Sequence, residues 1–248
     1  MRHRRVRLAA LFGALALAAV ADPALAQATS DSTTEELIWG LNTWLLYLAV
    51  PIAVLVEGIL VYTVWKYRNQ EEALPTKENR RLEIGWTVAT AVVLIAVGIG
   101  AYQVMANPYV SASSQATIEE EQDPIEIQVV AQKYFWTYKY PNETVRTVTG
   151  EDRNLTTSDT LVIPEGRPVE LNVTSKDWLH ALHVPGLGLK QDAFPGQYNT
   201  VMTKATDTGE YQLYCAEYCG SGHSQMLSTV RVEESGDFEE WLSEQTAG

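Results

Sequence analysis

The sequence predicts a membrane-anchored all-β protein, in which two transmembrane helices form a hairpin and are followed by one β-sandwich or barrel. Three observations predict it. Ile38 to Trp65 is apolar over 28 residues apart from Glu57, and Ile84 to Met105 runs 22 residues without a charge, so each is long enough to cross a bilayer. After a polar stretch from Ser111 to Asp123, short segments rich in Val, Ile, Tyr and Thr are separated by turn residues, the pattern of half-buried strands. Charge is also segregated: residues 112–248 hold 22 Asp and Glu against 9 Lys and Arg, whereas residues 1–111 hold 9 of each.

The N-terminus has a basic start (Arg2, Arg4, Arg5, Arg7), an apolar run from Leu8 to Ala21 and the small-x-small site Ala24-Leu25-Ala26. This is the pattern of a signal peptide over residues 1–26. Residues 27–111 then form the hairpin, with helices at about 38–65 and 84–105, and residues 112–248 the exported domain. Lys66, Arg68, Lys77, Arg80 and Arg81 lie between the helices, and neither 27–37 nor 106–118 has a Lys or Arg. The positive-inside bias puts the connecting loop in the cytoplasm and both ends outside. Glu57 would cost roughly 2.5 to 3.5 kcal/mol at mid-bilayer and so is expected to face a protein partner.

Strands are expected at Ile125–Val130, Leu161–Ile163, Val169–Thr174, Tyr198–Thr203, Tyr211–Tyr214 and Thr229–Val232. Phe238, Trp241 and Leu242 stand at helical spacing and predict a short closing helix. Asn142, Asn154 and Asn172 each begin an Asn-x-Thr sequon, a motif that also arises often by chance. The net charge of -13 excludes nucleic acid as a partner, because phosphates require Lys and Arg. It fits a basic protein partner or solvation of an exported domain in salt.

Both cysteines and three of the four histidines fall between His180 and His223. Thirty-four residues separate His180 from Cys215; three separate Cys215 from Cys219, three more precede His223, and two more precede Met226. Two cysteines in an exported domain ordinarily form a disulfide, but a disulfide requires neither the histidines nor Met226. Two thiolates, two imidazoles and a thioether select copper over hard cations. Two Cys and two His also make a closed zinc site, which leaves Met226 without a role. Thiolates that can bridge fit two coppers better than one, with one imidazole on each and with Met226 and a backbone carbonyl as weak axial donors. Such a set leaves no open position for substrate, and so serves electron transfer.

Ser175 to Gly196 (SKDWLHALHVPGLGLKQDAFPG) and Tyr214 to Met226 (YCAEYCGSGHSQM) resemble the CuA-binding motifs of cytochrome c oxidase subunit II, ligand spacing included. The resemblance extends to the signal peptide, the two helices and the aromatic run KYFWTYKY (Lys133 to Tyr140). It implies a cupredoxin-like domain in which His180, Cys215, Cys219, His223 and Met226 bind a dinuclear copper centre through side chains and Glu217 through its carbonyl. The Glu217 carboxylate is similar to the family's ligand for a magnesium or manganese ion shared with subunit I. Tyr134 and Trp136 stand where electrons arrive, and Glu83 in RRLEIGWT resembles the acid at the cytoplasmic mouth of a proton channel.

The implied function is that of subunit II of a haem-copper terminal oxidase in the plasma membrane, with its copper domain on the outer face. The implied partners are subunit I, which carries the haem, subunit III, and cytochrome c or a small blue-copper protein as electron donor. Oxygen is then reduced to water with proton translocation by the whole complex. The sequence departs from the family at three points: His183 has no counterpart, Gln197 stands where Arg is common, and Tyr134 replaces a tryptophan, which leaves the donor open. A freestanding membrane-tethered copper carrier is the rival reading. A quinol oxidase subunit is disfavoured because such relatives lose the copper ligands.

Overall fold

The computed structural model describes residues 30–70, 72, 77–111, 124–158 and 160–246. The signal peptide expected over residues 1–26 and most of the polar stretch to Asp123 lie outside these residues. Helix α1 (Thr33–Tyr67) begins five residues before the apolar run, because Ser32 caps it by accepting the Glu35 amide at 3.1 Å and Glu35 and Glu36 occupy its first turn. Acidic groups there oppose the positive end of the helix dipole. Helix α2 (Arg80–Met105) likewise starts early, from Asn79, whose Oδ1 accepts the Leu82 amide at 3.2 Å.

Both helices are long and apolar enough to span a membrane. They approach where Gly100 faces Trp44: a Cβ on Gly100 would stand 3.1 Å from the indole. Glu57, thirteen residues beyond Trp44 on α1, points about 140° away from that contact at 100° per residue and is exposed. The hairpin interface therefore does not cover it.

The remaining elements are β1 (Ile125–Gln132), β2 (Phe135–Tyr140), α3 (Asn142–Thr149), β3 (Leu155–Thr157), β4 (Thr160–Pro164), β5 (Val169–Ser175), β6 (His180–Val184), β7 (Leu189–Ala193), β8 (Asn199–Thr203), β9 (Gly209–Cys215), β10 (Leu227–Glu233) and α4 (Ser235–Thr246). They form two five-stranded sheets, ordered β3-β2-β1-β5-β8 and β4-β10-β9-β6-β7. The β1/β5 and β4/β10 pairs are parallel and the others antiparallel. This is the expected cupredoxin-like sandwich.

Alternation in β1 puts Ile125, Ile127 and Val129 inside, and Trp136, Tyr138 and Tyr140 of β2 join them. A buried phenol needs a partner, and Tyr140 finds it by donating to Val162 O at 2.8 Å. The closing helix α4 covers the core with Phe238 and Leu242, both fully buried.

The six expected strands correspond to β1, β4, β5, β8, β9 and β10. Helix α3 escapes a sequence reading because NETVRTVT is rich in β-branched residues, whose intrinsic preference is for strands; burial of Val145 overrides it. The Asn172 amide donates to Glu126 at 3.0 Å and to Glu170 at 2.8 Å, so this sequon's side chain is engaged in the sheet surface.

Candidate metal centre

Three backbone registrations assemble the site. Strand β6 pairs with β9 so that Leu182 faces Cys215, which brings His180 beside the end of β9 despite its distance in sequence. The Ala216 amide donates to Ala181 O at 2.9 Å and the Cys215 amide to Met226 O at 3.0 Å. These bonds draw the loop from Ala216 to Met226 closed at its neck, and Cys219 and His223 turn back toward Cys215.

The side chains converge as a result. Cys215 Sγ lies 4.0 Å from Cys219 Sγ and 3.7 Å from His180 Nδ1. Cys219 Sγ lies 3.6 Å from His223 Nδ1 and 4.0 Å from Met226 Sδ. The Glu217 carbonyl accepts from Cys215 Sγ at 3.2 Å. His180 and Met226 are fully buried, and both cysteines are nearly so. Both cysteines are free.

This arrangement fits a metal. The Sγ and ring nitrogen atoms of His180, Cys215 and Cys219 all lie within 4.8 Å of one another. Metal–thiolate bonds are about 2.3 Å long, so one ion can touch two sulfurs separated by up to about 4.6 Å. The Met226 thioether adds a fifth donor, soft like the two cysteine sulfurs, which a closed zinc tetrahedron does not use and copper does.

The surroundings set the protonation. His180 Nε2 is 3.0 Å from Asp177 Oδ1; a carboxylate only accepts, so Nε2 carries the proton and Nδ1 faces Cys215 with its lone pair free. Burial opposes the Asp177 charge, yet the Lys133 amide at 2.9 Å and the His180 imidazole hold its carboxyl below the usual range. Burial, then the neighbouring Cys215, push the Cys219 thiol up to about 11. Asp177 was not among the residues singled out from sequence, although its place three residues before His180 in SKDWLH was visible.

Of the two aromatic positions, Trp136 is 1% exposed and meets the His180 ring edge-on with centroids 6.4 Å apart. Tyr134 is half-buried and roofs the loop from Ala216 to Met226. Its Oη is 3.5 Å from Ser221 Oγ, and Cβ atoms added to Gly220 or Gly222 would fall 2.6 and 2.5 Å from its side chain. His183 is a packing residue: its Nδ1 is 2.9 Å from Leu189 O and its ring stacks edge-on with Tyr214. The Glu217 side chain is half-buried, and Glu83 lies exposed in the first turn of α2, remote in sequence from the Ala216–Met226 loop. Gln197 is exposed and accepts from Thr174 Oγ1 through its backbone oxygen at 2.7 Å.

The profile of the cytochrome c oxidase subunit II transmembrane domain matches residues 19–104, and that of the periplasmic domain of the same subunit matches residues 125–233. The chain belongs to the cytochrome c oxidase subunit II family. Subunit 2 of Debaryomyces hansenii is 32% identical over 80% of this chain and 84% of the relative. That of Cereibacter sphaeroides is 26% identical over 90% of this chain and 80% of the relative. The crystal structure of the periplasmic domain of subunit II from Bradyrhizobium japonicum, 26% identical, superposes with a TM-score of 0.44 over 50% of this chain and 94% of that one. As a subunit II, the chain is a membrane protein and a component of cytochrome c oxidase that partners subunit I, with a His and Cys cluster that fits the copper site of the family.

Proposed function

We propose that this chain is the electron-accepting subunit of the oxidase: it takes electrons from a small donor protein and hands them to haem in subunit I. The convergence of two buried thiols, two imidazoles and a thioether carries this reading. A dinuclear copper centre held by His180, Cys215, Cys219, His223 and Met226, with the Glu217 carbonyl as a further donor, supplies one-electron exchange with little rearrangement. The chain's own residues buffer that exchange. Asp177 fixes the His180 ring, Trp136 excludes water from its edge, and the loop neck at Cys215 and Met226 keeps the donor atoms in place.

The donor docks over Tyr134, with Trp136 beneath it against His180. The acidic domain favours a basic donor, cytochrome c or a blue-copper protein, whose association weakens as salt rises. The Glu217 carboxylate holds magnesium or manganese against subunit I, since a carboxylate suits a hard cation. Glu83 collects protons for subunit I on the cytoplasmic side. The signal peptide over residues 1–26 and the basic connecting loop fit a plasma-membrane orientation with the copper domain on the outer face, beside subunits I and III.

The test is to load the full chain in detergent with copper. Two coppers per chain with one electron spin shared over both nuclei support the proposal. A one-copper blue site, a zinc preference or a native Cys215–Cys219 disulfide would sink it.

A further inference from the structure

The start of α1 does not merely lead into the membrane; it is bonded into the copper domain. Ser32 is fully buried. Its hydroxyl donates to Leu187 O at 2.8 Å while accepting the Glu35 amide, so one side chain both caps the helix and grips the sandwich. Ser32 also forms a β-bridge with Ala205. Around it, the Thr33 amide donates to Lys204 O at 3.1 Å, the Thr206 amide to Asp31 O at 2.9 Å, and Thr206 Oγ1 to Ser30 O at 2.9 Å. Glu35, 8% exposed, accepts from the Asp31 amide at 2.9 Å and from Trp39 Nε1 at 3.3 Å.

The fit is close enough to demand glycine. Gly188 has a φ of +64°, and a Cβ there would stand 3.2 Å from the Glu35 amide nitrogen; glycine meets both needs at once. Leu187 and Gly188 belong to the turn that follows β6, the strand that begins with His180. A short, stiff path thus runs from the membrane helix through Ser32 to the ligand-bearing strand. Thr34 extends it to the second helix, since its Oγ1 donates to Tyr109 O at 3.1 Å just beyond α2.

We propose that Ser32, with Thr33, Thr34, Glu35 and Thr206, forms a positioning clamp that fixes the copper-bearing domain over the membrane hairpin and so sets the gap across which electrons leave this chain. The proposal rests on the electron-relay reading above. Electron tunnelling falls steeply with distance, and a domain tethered only by flexible chain would sample many distances. A cluster of buried, mutually supporting hydrogen bonds holds one. Among the described residues, their hydrogen bonds reach neither a proposed copper ligand nor Tyr134, so their effect is on geometry.

The experiment uses the assembled oxidase carrying Ser32→Ala together with Thr206→Val, beside the parent. Hydrogen exchange at the Thr33 and Thr206 amides should be slow in the parent and about tenfold faster or more in the variant, because these bonds then open locally. The copper spectrum and the KM for the donor should stay unchanged, while the copper-to-haem rate and kcat fall severalfold. Unprotected amides in the parent would overturn the clamp. So would a loosened variant with an unchanged copper-to-haem rate, or one in which only KM moves. The two readings fail differently: no copper-to-haem transfer in the parent removes the relay itself, whereas equal transfer in parent and variant removes only the clamp's part in it.

Discussion

Asp177 Oδ1 accepts a hydrogen bond from His180 Nε2 at 3.0 Å, and Asp177 Oδ2 accepts the Lys133 amide at 2.9 Å. One carboxylate therefore orients the proposed copper ligand His180 and anchors the turn that presents Tyr134. Outer-shell partners of this kind typically contribute about 10- to 100-fold to metal affinity. Asp177→Ala should lower copper affinity by that factor and broaden the copper spectrum. Asp177→Asn, whose amide oxygen can still accept, should lose less. Competition with a chelator at fixed pH measures both; equal affinities in parent and Asp177→Ala would remove the orienting role.

The glycines beneath Tyr134 offer a second test. At Gly222 a new methyl would stand 2.5 to 2.8 Å from three atoms of the Tyr134 side chain, and such overpacking typically costs about 1–3 kcal/mol. Gly222→Ala should destabilise the domain by this amount in urea unfolding. Adding Tyr134→Ala should restore most of it, a non-additivity expected of touching residues. Tyr134→Ala alone should slow donor-driven copper reduction while the copper spectrum stays intact. Additive losses in the double variant would show that the two residues do not meet.

Cys219 predicts a pH signature of the copper-free chain. Its folded thiol is pushed up to about 11 from an ordinary value of 9.0, by burial and by Cys215. The folded state thus holds this proton more tightly than the unfolded state. The associated stability is fully present below about pH 9 and is lost as pH rises through about 11, because in that window the folded chain binds more protons. Urea midpoints of the copper-free chain should fall across this range. Copper-loaded chain should lack the fall, since its thiols are already deprotonated, and copper uptake should release protons. A flat copper-free profile would argue against the raised thiol.

Glu83 sits in the first turn of α2 beside Arg80 and Arg81, and its amide donates to Asn79 O at 3.0 Å. A carboxyl at this water boundary can load and release protons, whereas an amide cannot. Glu83→Gln in the assembled oxidase should slow oxygen consumption severalfold and leave copper reduction by the donor unchanged. Equal turnover in both forms would take Glu83 off the proton path; a lost copper signal would point to a disturbed fold.

Much of this architecture is written locally, and sequence alone determined it. Membrane spans follow from apolar length, the strands β1, β4, β5, β8, β9 and β10 from alternation and turn residues, and α4 from the spacing of Phe238, Trp241 and Leu242. The proposed ligands from Cys215 to Met226 share one loop, so their spacing is itself a chemical signal. Only the tertiary structure decided what depends on long-range register: His180 reaches Cys215 because Leu182 pairs with that residue across β6 and β9, and Asp177 and Tyr134 join the site through the Lys133 turn. Strands β6 and β7, HALHV and LKQDA, lack a clean alternation because β6 is buried along most of its length while β7 is not. Ser32 stands outside the helix that the sequence predicts and was not singled out from it. Its grip on Leu187, 155 positions away, exists because folding brings the turn after β6 onto the end of the membrane helix, where the hydroxyl can satisfy both.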